Sequence, residues 1–241
     1  MTILNSIRKS ARKLGIEVHR YDIAHSLDAR VLALIKHHRV DLVIDVGAND
    51  GGYGTVLREG GYKGPIVSFE PLSQAHVALT QRAQSDAQWS VAGRCALGAN
   101  EGVADIHIAG NSTSSSLLPM LGRHVQAAPQ SAEVATESVP VKRLDDIDIA
   151  LLLACSRAML KIDTQGYELP VLHGAGTTLT RCVGVQLEMS IVPLYEGQVL
   201  YRELIDYLDA LGFDLWGLLP GFVEPTSGRL LQMDGVFFRR S

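Results

Sequence analysis

The stretch that most constrains this chain is Asp41-Leu42-Val43-Ile44-Asp45-Val46-Gly47-Ala48-Asn49-Asp50-Gly51-Gly52. Its apolar, β-branched run reads as a parallel strand covered on both faces. The run ends in an acid and breaks into glycines, which let the backbone turn sharply and come close to a ligand. Open α/β sheets place ligands at the carboxyl edge, where such a loop sits. The glycine spacing, D-x-G-x-x-x-G-G, departs from the G-x-G-x-x-G of dinucleotide loops and argues against a pyrophosphate cradle.

A second strand follows at Pro65-Ile66-Val67-Ser68-Phe69-Glu70-Pro71. Its terminal Glu70 comes about 25 residues after Asp45, near the interval at which an acid reaches ribose hydroxyls. Together the two stretches predict a nucleoside cofactor held without a phosphate grip. A purely structural turn is the competing reading.

At 241 residues, 46% of them hydrophobic, the chain can bury the core of a single α/β domain. Its net charge of −4 offers no basic face, so nucleic acid is not expected as a partner. Cys95, Cys155 and Cys182 are odd in number and form no C-x-x-C pair, which suits reduced thiols and a cytoplasmic setting. No apolar run approaches the ~20 residues that span a bilayer, and no signal-peptide pattern opens the chain.

Residues 2–14 place Ile3, Leu4, Ile7, Ala11 and Leu14 at helical spacing, with Arg8, Lys9, Arg12 and Lys13 between them. This basic amphipathic helix either docks on its own domain, the favoured reading, or touches anionic lipid. A second helix opens at Ser26, so residues 1–40 form a helical extension packed on a main domain of residues 41–241. Beyond the glycine loop, helices are expected over 53–59, 71–83 and 201–211. Trp89 to Leu97 reads as a third strand, whose Cys95, Ala96 and Leu97 either line an adenine slot or simply end the strand. Val103–Ala109 and Val139–Leu144 are further strands. Residues 110–138, polar and without core periodicity, read as a lid or substrate loop. Ala158–Asp163 and Cys182–Glu188 are strands tipped by acids, and 213–216 with 233–238 form a terminal antiparallel pair.

IDVGANDG, SFEP, CALG, SSSL, VKRLDDI and LKIDTQGYELPVLHGA occur in that order between Asp41 and Glu188. In this the chain resembles the FkbM family of S-adenosylmethionine-dependent O-methyltransferases, although Gln165 stands where the family more often has Glu. The resemblance implies a doubly wound, mostly parallel seven-stranded Rossmann-like sheet with an antiparallel terminal strand pair. It implies that Asp45, Gly47, Asn49 and Gly51 wrap the methionine part of S-adenosylmethionine, and that Glu70, followed by Pro71, holds the ribose. It also implies an acceptor hydroxyl on a sugar of a glycolipid or secondary metabolite.

A hydroxyl becomes a competent nucleophile once its proton is removed. His124 in the expected lid is either a solvated loop residue or the general base. Asp163 and Glu188 lie at strand ends on the correct edge, Asp163 counting on the cofactor side as well. The two acids are candidate bases, candidate Mg²⁺ ligands or plain structural caps. With only two carboxylates evident and Gln165 in place of a third, no metal ligand is assigned, and Mg²⁺ is not favoured.

Overall fold

The computed structural model describes residues 2–240. Helices α1 (Thr2–Lys13) and α2 (Leu27–His37) precede the sheet, followed by β1 (Leu42–Val46), α3 (Gly52–Glu59), β2 (Ile66–Phe69), α4 (Ser73–Ala83) and β3 (Trp89–Val91). Then come β4 (Ala96–Leu97), β5 (Gly102–Ala109), α5 (Gly122–Ala127), β6 (Glu133–Lys142), α6 (Ala150–Ala154) and β7 (Ala158–Ile162). The chain finishes with α7 (Glu168–His173), α8 (Gly176–Arg181), β8 (Cys182–Ser190), α9 (Tyr201–Ala210), β9 (Phe213–Pro220) and β10 (Gln232–Arg239).

The main sheet has seven strands in the order β3-β2-β1-β7-β8-β10-β9, parallel except at β10, which runs antiparallel to both β8 and β9. This is the mostly parallel, Rossmann-like seven-stranded sheet with an antiparallel end that the family resemblance implies. The strand order reverses at β1, whose neighbours are β2 and β7, so a crevice opens beyond its carboxyl end. All five β1 residues are buried, with Leu42, Ile44 and Val46 packing on one side and Val43 on the other.

Three expectations need correction. Trp89–Leu97 is two strands in two sheets: β3 joins the main sheet, and the chain breaks at 92–95 before β4 pairs with β6. The expected lid at 110–138 is mostly structured. Its last part is the beginning of β6, paired antiparallel with β5 in a small sheet ordered β4-β6-β5, and its middle is α5. Several β6 residues are exposed, so no core alternation marked this segment as a strand.

The third correction concerns the extension. α2 does pack on the domain: Ser26 accepts a hydrogen bond from the Ala29 N–H at 3.2 Å, and Ala29, Val31 and Ile35 are buried. α1 behaves differently, with Ile7 and Leu14 exposed. The side chains of Ile3 and Leu4 lie outside the described residues.

Candidate active site

The loops after β1, β2, β5 and β7, together with β4, enclose a cleft of the concave, part-apolar kind that small-molecule sites use. Of the residues singled out in the sequence, Gly47, Asn49, Glu70 and Pro71 line it on one side. Cys95, Ala96, Leu97 and Asp163 line it on another. Asp45, Gly51, His124 and Glu188 are not among its lining residues.

The geometry of the first loop explains its glycine. Gly47 has φ +75, and a Cβ there would stand 1.9 Å from the main-chain oxygen of Asp163. The loop after β1 is therefore pressed against the end of β7. The N–H groups of Gly47 and Ala48 both donate to the Phe69 carbonyl at 3.0 Å, tying the loop to β2 as well. Asn49, in the left-handed region at φ +48, donates its N–H to Glu70 Oε2 at 2.8 Å, while Leu72 N–H donates to Glu70 Oε1 at 2.8 Å. Glu70 is thus fixed with lone pairs to spare, and its burial pushes its pKa up to about 7.

Asp45 sits under the loop, fully buried, 3.3 Å from Lys161 Nζ, with the Ser68 hydroxyl donating to it at 3.4 Å. Burial raises its pKa against the pull of Lys161. Asp45 anchors the loop from below, and the sequence reading that put it against the methionine part of the cofactor is corrected. Gly51, φ +91, precedes α3, where a Cβ would crowd Leu79, Arg82 and Trp89 at 3.0–3.1 Å. Its role is packing.

Beyond β7 the loop is bent by two consecutive positive φ values, +55 at Gln165 and +97 at Gly166. Buried Glu168 holds it by accepting from Thr164 N–H, the Thr164 hydroxyl and Gly166 N–H at 3.0–3.2 Å, and burial pushes its pKa up to about 7. Gln165 then makes three contacts. Its Nε2 donates to Asp163 Oδ1 at 2.8 Å and to Glu188 Oε2 at 2.7 Å, while its Oε1 accepts from the Tyr195 hydroxyl at 2.9 Å.

Gln232 Nε2 adds a further donor to Glu188 Oε2 at 2.8 Å. Lys161 Nζ stands 3.4 Å from Asp163 Oδ2, whose side chain is 38% exposed and faces the cleft. Glu188 lies behind Gln165. Burial, reinforced by the nearby charges of Asp163, Glu168 and Asp234, raises its pKa well above the ordinary carboxylate range. Among the described residues, no group of three or more His, Cys, Asp and Glu side chains is arranged to hold a metal ion.

His124 is displaced from its expected place. It lies on α5 rather than in a loop, 2% exposed, with its ring 5.2 Å from Tyr195 and 5.1 Å from Phe222. Burial depresses its pKa to about 4, and its Nδ1 has no hydrogen-bond partner among the described residues. Both alternatives offered by the sequence, solvated loop residue and cleft base, give way to a neutral packed ring.

Sequence reasoning passed over Lys161, Glu168, Tyr195 and Gln232. Lys161 was legible: it stands two residues before Asp163, hence on the same side of the extended chain. The serines at 112, 115 and 116 line the cleft, and the sequence reading places them within the expected lid or substrate loop, with no individual role. Ser112 accepts from Asn49 Nδ2 at 3.3 Å, and the Ser116 hydroxyl donates to the Gln165 carbonyl at 2.7 Å.

The cleft suits a nucleoside joined to an amino acid. Ala96, Leu97, Ile106 and Leu117 give an apolar slot for a base, Glu70 offers carboxylate lone pairs beside it, and polar main chain at Gly47 and Asn49 lies farther along. The family model of the FkbM methyltransferase domain matches residues 45–215, well over half of the chain. No match was found among curated proteins. Similar solved structures include magnesium protoporphyrin IX methyltransferase from Synechocystis with its bound cofactor (TM-score 0.47, 9% identity, 100% of this chain and 85% of that one). Another is an rRNA methylase from Streptococcus thermophilus (TM-score 0.44, 10% identity, 88% of this chain and 96% of that one). The chain belongs to the FkbM methyltransferase family.

Proposed function

We propose that the chain methylates a hydroxyl oxygen, on a sugar of a glycolipid or secondary metabolite, in the cytoplasm and without a nucleic-acid partner. The observation that carries this reading is the Asp163 carboxylate, half-open to the cleft and fixed on both oxygens by Lys161 and Gln165. A carboxylate so placed is a positioned general base. S-adenosylmethionine supplies an electrophilic methyl on a sulfonium sulfur. Asp163 would take the proton that the acceptor hydroxyl gives up on becoming the methyl ether, the thioether product leaving from the donor side. Glu70 orients the nucleoside end, and Glu188 acts as a positioning residue that aims the Gln165 amide at Asp163. The buried cation of the site, Lys161, is already paired with Asp45 and Asp163, which leaves it little to offer a phosphate backbone.

Incubation with methyl-labelled donor and separate pools of glycolipid, free glycan, small metabolites and RNA tests the reading. Label is expected as an alkali-stable methyl ether on sugar, and Asp163→Asn should lower the rate by about 10²–10⁴-fold while leaving the melting temperature in place. Label confined to RNA, or an Asp163→Asn variant at full speed, would refute it.

A further inference from the structure

Four cations, Arg8, Lys9, Arg12 and Lys13, fall within the first 16 residues, which contain no Asp or Glu. Of the 22 Lys and Arg in the chain, the other 18 therefore stand against all 26 acids, and the chain is polarised into a cationic end and an anionic body. At 100° per residue the four cations spread over one side of α1, and Ile7, Ala11 and Leu14 share a narrow arc on the other.

Among the described residues, that apolar arc carries no buried side chain. Ile7 is 49% exposed and Leu14 78%, and Ile16 just beyond is 55% exposed. Tyr21 and Ile23 in the following segment are exposed as well. Arg12 pairs with the exposed Glu17, and Arg8 donates to the Val18 carbonyl, which folds residues 16–18 back along the helix. The helix and the segment folded against it thus carry exposed aliphatic side chains and cations close together in the chain.

We propose that residues 2–23 form a docking surface for an anionic phospholipid bilayer, with α1 lying in the interfacial plane. The charge pattern and the unburied aliphatic side chains both point to lipid: the cations meet acidic headgroups while Ile7, Leu14 and Ile16 enter the acyl boundary. A nucleic acid would satisfy the cations but leave the aliphatic side chains in water, and the anionic body would repel its continuation. The inference is independent of which acceptor is methylated, because it concerns binding without turnover.

The test is co-sedimentation of the full chain with vesicles of phosphatidylcholine alone and of phosphatidylcholine mixed with phosphatidylglycerol. Binding is expected only to the mixed vesicles, weakening as salt rises. Each cation replaced by Gln should lower partitioning by about five-fold, so Arg8→Gln with Lys9→Gln should lower it by roughly 25-fold. Ile7→Ser with Leu14→Ser should also release the protein although every charge remains, a loss that purely electrostatic binding would not show. Unchanged S-adenosylmethionine affinity in the variants reports an intact domain. Equal binding to both vesicle types, no binding to either, or displacement from vesicles by RNA with the serine variant still bound to that RNA would overturn the proposal.

Discussion

The two faces of the central sheet are built from the same strands and do different work. On one face Leu42, Ile44, Val46, Leu160, Ile162 and Leu187 run apolar to the carboxyl edge, closed by side chains of α7, α8 and α9 such as Val171, Leu179 and Leu204. The other face starts apolar with Val43, Met159, Val236 and Phe238. Toward the carboxyl edge it turns polar, at Asp45, Lys161, Gln186 and Asp234. There Gln186 Nε2 donates to Asp234 at 2.7 Å, its Oε1 accepts from the Tyr53 hydroxyl at 3.0 Å, and Lys161 lies 5.3 Å from the Tyr53 ring centre. One face holds the sheet by burial alone; the other spends part of its burial on charges that fix the site. The period of two in a strand lets adjacent residues serve these separate ends.

Neighbours in β7 allow that contrast to be broken directly. Lys161→Met leaves Asp45 buried without its cation and should cost about 3–5 kcal/mol in urea unfolding. Leu160→Ala, on the opposite face, should cost about 2–5 kcal/mol through the cavity it opens. Adding Asp45→Asn should restore much of the first loss and none of the second. If Lys161→Met were as stable as the parent, the distinction between the faces would collapse.

A smaller effect is expected at Glu70, where Gln should weaken S-adenosylmethionine binding by about 1.5–3 kcal/mol in calorimetry. The acidity of Glu70 adds a sign. Its pKa of about 7 in the folded chain exceeds the ordinary 4.5, so its contribution to stability is complete below 4.5 and is lost as pH rises through about 7. Ribose hydroxyls favour the ionised form, so affinity should rise with pH up to about 7 in the parent and stay flat in Glu70→Gln. A flat profile in the parent would show that the cofactor does not engage this carboxylate.

The smallest effect on turnover is expected from His124→Phe, since the ring packs against Tyr195 and Phe222 outside the cleft. With its pKa depressed from 6.5 to about 4, the neutral ring supports folding above 6.5 and that support is lost as pH falls through about 4. The Phe variant should lack this part of the acid denaturation curve. A large fall in rate at neutral pH would return His124 to the chemistry.

What the sequence disclosed follows from where its signals lie. β1, β2, β7 and β8 were readable because each carries an apolar run ended by polar residues, and the antiparallel pair at β9 and β10 was read from 213–216 and 233–238 and implied again by the family resemblance, though both strands extend further than anticipated. The start of β6 was hidden because Glu133 to Thr136 are exposed and show no alternation. The change of sheet between β3 and β4 is decided by pairing partners remote in the chain, Val67 for one and Val141 for the other. The same remoteness hid the setting of His124. Gln165 was visible as a departure from the family pattern, but its bridging of Asp163, Glu188 and Tyr195 depends on strands that only the fold brings together.

The contact beneath Gly47 has a consequence for suppressor genetics. A side chain that collides with another side chain can be rescued by trimming the partner. The obstacle here is the carbonyl oxygen of residue 163, which every amino acid carries, so no substitution at 163 makes room for a Cβ at 47. Second-site revertants of Gly47→Ala would have to move the end of β7 itself, and with it the carboxylate that faces the cleft. Selection for restored folding should therefore recover true reversion to glycine far more often than compensation.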